Sequence, residues 1–173
     1  MPDLREQLEQ CFQGRVCLMG LGNPDYGDDA FGVRLAETLI NARASGVIIA
    51  GTTPERVLGR IADEHYDQII FLDAVEFGGA PGSVVFLEAS EITAWFPQIS
   101  THKISLGTLA KWVEANGRTQ AWLLGVQPAS LKPGLDLSPT VQRTLQMLAE
   151  VLSETAAPSP AQSVKGHRPM ALS

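Results

Sequence analysis

The sequence predicts an α/β fold: a three-layer α/β/α sandwich with a mostly parallel sheet of about five strands, one of them antiparallel. Three observations carry this expectation. Short apolar runs at 16–19, 47–50, 69–72 and 121–126 alternate with stretches of helical periodicity, the order of repeated βαβ units. The first run leads through Gly20, Gly22 and Gly27 directly into a helical pattern, giving strand, glycine-rich turn and helix. The glycine-rich stretch 76–82 is too flexible for a crossover helix, so the strand after it should return antiparallel.

Taken in order, residues 3–13 read as a polar helix that touches the body through Leu4, Leu8 and Phe12. A strand is expected at 16–21 and a helix at 28–44, with Phe31, Leu35, Leu39 and Ile40 on one side. Gly46 restarts the chain into the second strand. Thr53 and Pro54 mark the next helix start, as N-cap and first helical residue, and that helix runs to about 64. His65 at its end complements the helix dipole. Residues 68–73 form the clearest buried strand, and 83–87 should pair antiparallel beside it. Residues 88–104 read as irregular. A helix capped by Ser105 is expected at 105–116, a strand at 121–126, and a last helix from Ser138-Pro139 with Val141, Leu145, Leu148, Ala149 and Leu152 inward. Residues 1–154 should make one domain. The composition of 155–173, rich in Ala, Pro, Ser and Gln, predicts a disordered tail.

The chain has 173 residues, 45% of them hydrophobic and 18% charged, which supports a well-buried core. Its net charge of −6, without a basic cluster, argues against nucleic-acid binding. No apolar run approaches the ~18 residues of a membrane span. The N-terminal stretch, with Asp3, Glu6 and Glu9, does not read as a signal peptide. Cys11 and Cys17 match no metal or redox spacing and are expected to be reduced, Cys17 in the core. These readings predict a cytoplasmic protein with no membrane partner.

The chemistry concentrates where the parallel strands end, the edge on which open α/β sheets form ligand sites. A glycine-rich turn before a helix often cradles phosphate on backbone N–H groups. Here the turn carries Asp28 and Asp29, and no Lys or Arg lies between Gly20 and Val33 to offset them. No complete phosphate-binding fingerprint can be read through Asn23-Pro24-Asp25. An acidic loop suits a cation better. A purely structural role is the alternative, with Asp28 as helix cap and Asp29 in the first turn. Asp73 ends its apolar strand at the same edge, because the strands at 16–21 and 68–73 should be neighbours. His102, in Ser100-Thr101-His102-Lys103, stands before the next helix and could complete a cluster. Two carboxylates and an imidazole suit a divalent transition metal with coordination positions left open, or general acid–base work without metal.

Four stretches in order carry a family resemblance: Gly22-Asn23 followed after four residues by Asp28-Asp29-Ala30-Phe31-Gly32, then Asp73-Ala74-Val75-Glu76-Phe77-Gly78 with Pro81-Gly82, then Ser100-Thr101-His102-Lys103, then Gly125-Val126-Gln127-Pro128. This pattern resembles the [NiFe] hydrogenase maturation endopeptidases, most closely the formate-hydrogenlyase-type branch. The resemblance implies a cytoplasmic endopeptidase that removes the C-terminal extension of a [NiFe] hydrogenase large-subunit precursor after nickel insertion. It implies Asp29, Asp73 and His102 as the catalytic and metal-contacting residues, with nickel supplied by the substrate and none permanently bound. The family often has Glu where this chain has Asp29, which shifts the carboxylate by one methylene. Two other readings compete. Gly20-Leu21-Gly22-Asn23-Pro24 also resembles the opening of peptidyl-tRNA hydrolases, but their following His is replaced here by Asp28-Asp29. A non-enzymatic nickel-binding maturation chaperone is the third.

Overall fold

The structure is a computed structural model, and it describes residues 2–96, 104–134 and 136–156. The expected tail lies outside the described residues apart from its first two positions. Six helices and five strands follow one another as α1 (Leu4–Cys11), β1 (Val16–Leu21), a short 3-10 turn (Gly27–Ala30), α2 (Phe31–Asn41), β2 (Val47–Gly51), α3 (Glu55–Glu64), β3 (Gln68–Ala74), β4 (Val84–Glu88), α4 (Ala89–Trp95), α5 (Leu106–Glu114), β5 (Gln120–Val126) and α6 (Pro139–Thr155). The sheet order is β2-β1-β3-β5-β4, with four parallel strands and β4 antiparallel at one edge.

Strand alternation sorts the apolar side chains into two cores, one on each face of the sheet. Cys17, Met19, Ile69, Phe71 and Leu123 pack with Ile61, Ile92, Leu106 and Leu109 of α3, α4 and α5. Leu18, Ile70, Leu72 and Leu124 pack with Leu8, Phe31, Leu35, Leu145 and Leu148 of α1, α2 and α6. The two faces explain why 69–72 reads as an unbroken apolar run: a central parallel strand is covered on both sides. Full burial of a side chain such as Phe71 or Leu72 contributes about 1.5–3 kcal/mol each.

The structure corrects four expectations. β4 pairs with β5, not β3; the crossover through α4 and α5 lays β5 against β3 over seven residue pairs, which leaves β4 only the outer edge. Phe86 stacks on Trp122 at 5.2 Å between centroids and fixes β4 there. Residues 89–95, expected to be irregular, form α4, whose start is a capping box between Glu88 and Glu91. Its N-cap is an acid rather than Ser or Thr, so the sequence signal was weak. The helix expected from 28 begins at Phe31, after the 3-10 turn. The helix expected to be capped by Thr53 begins at Glu55 with Pro54 ahead of it.

Other details follow the expectation. Ser105 caps α5, its Oγ accepting from Thr108 N at 3.1 Å. His65 stands at the end of α3 as expected, and its left-handed backbone, φ 54°, was not foreseen. Cys11 and Cys17 are free and buried, and burial pushes both thiols up to about 12. Among the described residues no helix is long and apolar enough to cross a membrane.

Candidate functional site at the carboxyl edge of the sheet

The site begins where β1 gives way to the glycine-rich turn. Two glycines set the approach. Gly22 takes φ 118°, and a Cβ there would overlap the carbonyl oxygen of Asp29. Gly32, in the first turn of α2, sits against the carbonyl oxygens of Leu21 and Leu72, which a Cβ would overlap. The head of α2 therefore rests on the ends of β1 and β3 together, and Asp29 and Asp73 reach the same edge of the sheet.

Asp28 and Asp29 are consecutive and have different surroundings. Asp28, 1% exposed, accepts from Ala129 N at 2.8 Å, Ser130 N at 3.1 Å, Ser138 N at 2.7 Å and the Ser138 hydroxyl at 2.9 Å. It does not cap the helix that follows it. It binds the turn to the loop between β5 and α6, more than 100 residues away in sequence. The backbone repeats the link: Gly27 N donates to Gly134 O, Gly134 N to Asp25 O and Asp28 N to Ser130 O, each at 3.0 Å. With its oxygens so engaged, Asp28 is a structural anchor rather than a general base.

Asp29 is 2% exposed, and its Oδ2 accepts from Asn23 N at 2.9 Å. The Asn23 side chain in turn accepts from Asp25 N, a local turn that holds the loop in shape. Beside Asp29 lies a cavity of about 290 Å³ lined by Asn23, Tyr26, Asp29 and Leu131. Asp73, 1% exposed, sits near the end of β3 opposite Gly125, and its Oδ1 accepts from Ala74 N at 2.9 Å.

Sequence reading overlooked Gln127 as an individual residue. It is 5% exposed at the end of β5, and its Oε1 accepts from Phe77 N at 2.9 Å and Gly79 N at 3.3 Å. Its Nε2 donates to Glu76 Oε2 at 2.6 Å. One buried amide thus shapes the loop after Asp73 and orients the exposed Glu76. A polar residue between an apolar strand and a proline was the signal. Tyr26, Leu131 and Ser138 gave none, because their importance arises only from contact between distant loops.

His102 lies outside the described residues. Among the described residues no three His, Cys, Asp or Glu side chains are grouped as a ligand set for a metal ion. The edge supplies two buried carboxylates and a shaped cavity, groups that can bind a cation or take up a proton.

Residues 33–155 match the profile of a family described as hydrogenase maturation protease; the match takes in Asp73 and Gln127 and begins just past Asp29. The chain is 32% identical to the hydrogenase 2 maturation protease of Escherichia coli strain K12, over 79% of this chain and 87% of that protein. It is similar in structure to the [NiFe] hydrogenase maturation protease HycI from Thermococcus kodakarensis KOD1, with a TM-score of 0.77, 30% identity and coverage of 88% and 99% of the two chains. The hydrogenase maturating endopeptidase HybD from Escherichia coli aligns with a TM-score of 0.66 and 31% identity, covering 79% of this chain and 88% of that one.

Proposed function

The chain belongs to the hydrogenase maturation protease family and is a peptidase, and within that family we propose that it removes the C-terminal extension of a [NiFe] hydrogenase large-subunit precursor once nickel is in place. The observation that carries the reading is the delivery of two buried carboxylates, Asp29 and Asp73, to one sheet edge by the seating of Gly32 on Leu21 and Leu72. Nickel arrives with the substrate and is read by Asp29, Asp73 and His102. No permanently bound metal is required. A water attacking the scissile carbonyl can pass its proton to Asp29 or Asp73. Membership of a protease family favours this reading over a metal chaperone or a peptidyl-tRNA hydrolase.

The location we assign is the cytoplasm. The two free, buried thiols suit a reducing compartment.

Charge is the basis of nickel dependence. Asp28, Asp29, Asp73 and Glu76 gather on one edge, and the stretches 20–33, 69–88 and 119–131 contain no Lys or Arg. A divalent cation relieves the mutual repulsion of carboxylates, so the edge favours a substrate that carries one. Metal-free precursor offers only peptide to a negative surface. With free metal chelated, the protein should therefore cleave nickel-loaded precursor and leave metal-free precursor intact at equal concentration. Equal rates would exclude nickel as the signal.

A further inference from the structure

The cavity beside Asp29 has two features that the reading above does not use. Its volume, about 290 Å³, is at the lower limit of the ~300–1,000 Å³ typical of small-molecule sites, the scale of a side chain rather than a cofactor. Among the described residues its lining beyond Asp29 is uncharged: Asn23, Tyr26 and Leu131. Tyr26 is 44% exposed although it sits on a turn fixed on both sides. We propose that this cavity receives an apolar side chain of the precursor, at a residue flanking the bond that is cut. The proposal rests on the reading of Asp29 as part of the site, since Asp29 is one of its walls.

Rigidity makes the cavity a selective one. Its two halves come from the glycine-rich turn and the β5–α6 loop, which are joined through Gly27, Gly134 and the four donors to Asp28. Tyr26 also accepts from Asp29 N at 3.0 Å through its carbonyl, which ties the backbones of the two residues together. A preformed cavity binds without an ordering penalty on the protein side. An aromatic face and a leucine gain from covering apolar surface. A side chain seated there brings the adjoining peptide group against Asp29, which couples binding to register along the extension.

The test uses nickel-loaded precursor in which the residue on either side of the scissile bond is replaced in turn by Gly, Leu, Phe and Lys. Cleavage is compared for the native protein, Leu131→Trp and Tyr26→Ala, with unfolding midpoints as the control for folding. Native protein should favour Leu or Phe over Gly by about tenfold or more in kcat/KM at one of the two positions. Leu131→Trp fills the cavity and should bring that ratio towards one, mainly through KM. Tyr26→Ala, at an exposed position, provides the second readout if Leu131→Trp does not fold. No preference at either position, a preference for Lys, or a ratio unchanged in both variants would overturn the proposal. The ratio is measured on cleaved precursor whether or not nickel is needed. Failure here is thus distinct from failure of the nickel reading, which shows as equal cleavage of loaded and metal-free precursor by the native protein.

Discussion

At the amino edge of the sheet Glu64 is matched by cations of the same chain, whereas at the carboxyl edge Asp28 and Glu76 are held by neutral donors. Arg15 donates to the carbonyl of Glu64 at 2.6 Å, lies 5.1 Å from the centre of the Tyr66 ring and stands 3.9 Å from the Glu64 carboxylate, which also pairs with Arg60 at 3.2 Å. Tyr66 OH donates to Glu64 at 2.7 Å, and Thr119 Oγ1 donates to Tyr66 O at 2.7 Å. This network joins the entries to β1, β3 and β5. Across the sheet, backbone amides and the Ser138 hydroxyl orient Asp28, and the Gln127 amide orients Glu76. Neutral donors fix a carboxylate without cancelling its charge. One edge thus pairs Glu64 with arginines, and the other holds Asp28 and Glu76 on donors that carry no countercharge.

The largest effect that can break this comparison is on activity. Asp29→Asn and Asp73→Asn keep the shape and the accepting oxygen of each side chain but remove its charge. Each should lower processing of nickel-loaded precursor by about 100-fold or more. The unfolding midpoint should stay near native. Glu64→Gln at the opposite edge should process normally. Near-native rates in either Asp variant would remove that residue from the site, and a slow Glu64→Gln would erase the contrast between the edges.

A middle-sized effect separates the two neighbouring aspartates. Asp28→Ala strands the N–H groups of Ala129, Ser130 and Ser138 in a buried corner, so it should destabilise the fold by on the order of 3 kcal/mol in denaturant titration. Asp29→Asn should not. Equal stability of the two variants would show that Asp28 is no anchor.

The smallest effect is on pH dependence, and it belongs to the amino edge. Burial first, then the bond to Glu64, pushes the Tyr66 phenol up to about 12 from 10.0. The folded state therefore holds this proton more tightly than the unfolded chain. Its contribution is complete below about pH 10 and is lost as pH rises towards 12. Glu64 behaves in the opposite sense. The Tyr66 hydroxyl, followed by Arg60, lowers its carboxyl, so its contribution is present above the unfolded pKa and is lost as pH falls through the folded one. Tyr66→Phe should flatten the alkaline loss of stability measured by thermal unfolding between pH 9 and 12. The Cys11 and Cys17 thiols, both raised to about 12, contribute to the same window and remain in the variant. An identical alkaline slope in Tyr66→Phe would leave the loss to the thiols.

The layered α/β class was legible in the sequence, because buried parallel strands must read as apolar runs and their crossovers as amphipathic helices. The sequence also marked Asp73, since a carboxylate directly after such a run has little choice but the strand end, and the glycine-rich turn that carries Asp28 and Asp29. Other features needed the folded chain. The place of β4 depends on which strand claims the free flank of β3, a contest between segments that no local pattern records. The start of α4 rests on a reciprocal Glu88–Glu91 bond that composition does not distinguish from a surface charge. Asp28 and Asp29 are chemically identical and adjacent. Only the arrival of Ala129, Ser130 and Ser138 makes one an anchor and leaves the other facing the cavity with Tyr26 and Leu131. Local sequence fixes which groups can bond, whereas long-range packing fixes which partners reach them. That is why the carboxylates were legible from sequence and the anchoring of Asp28 to a distant loop was not.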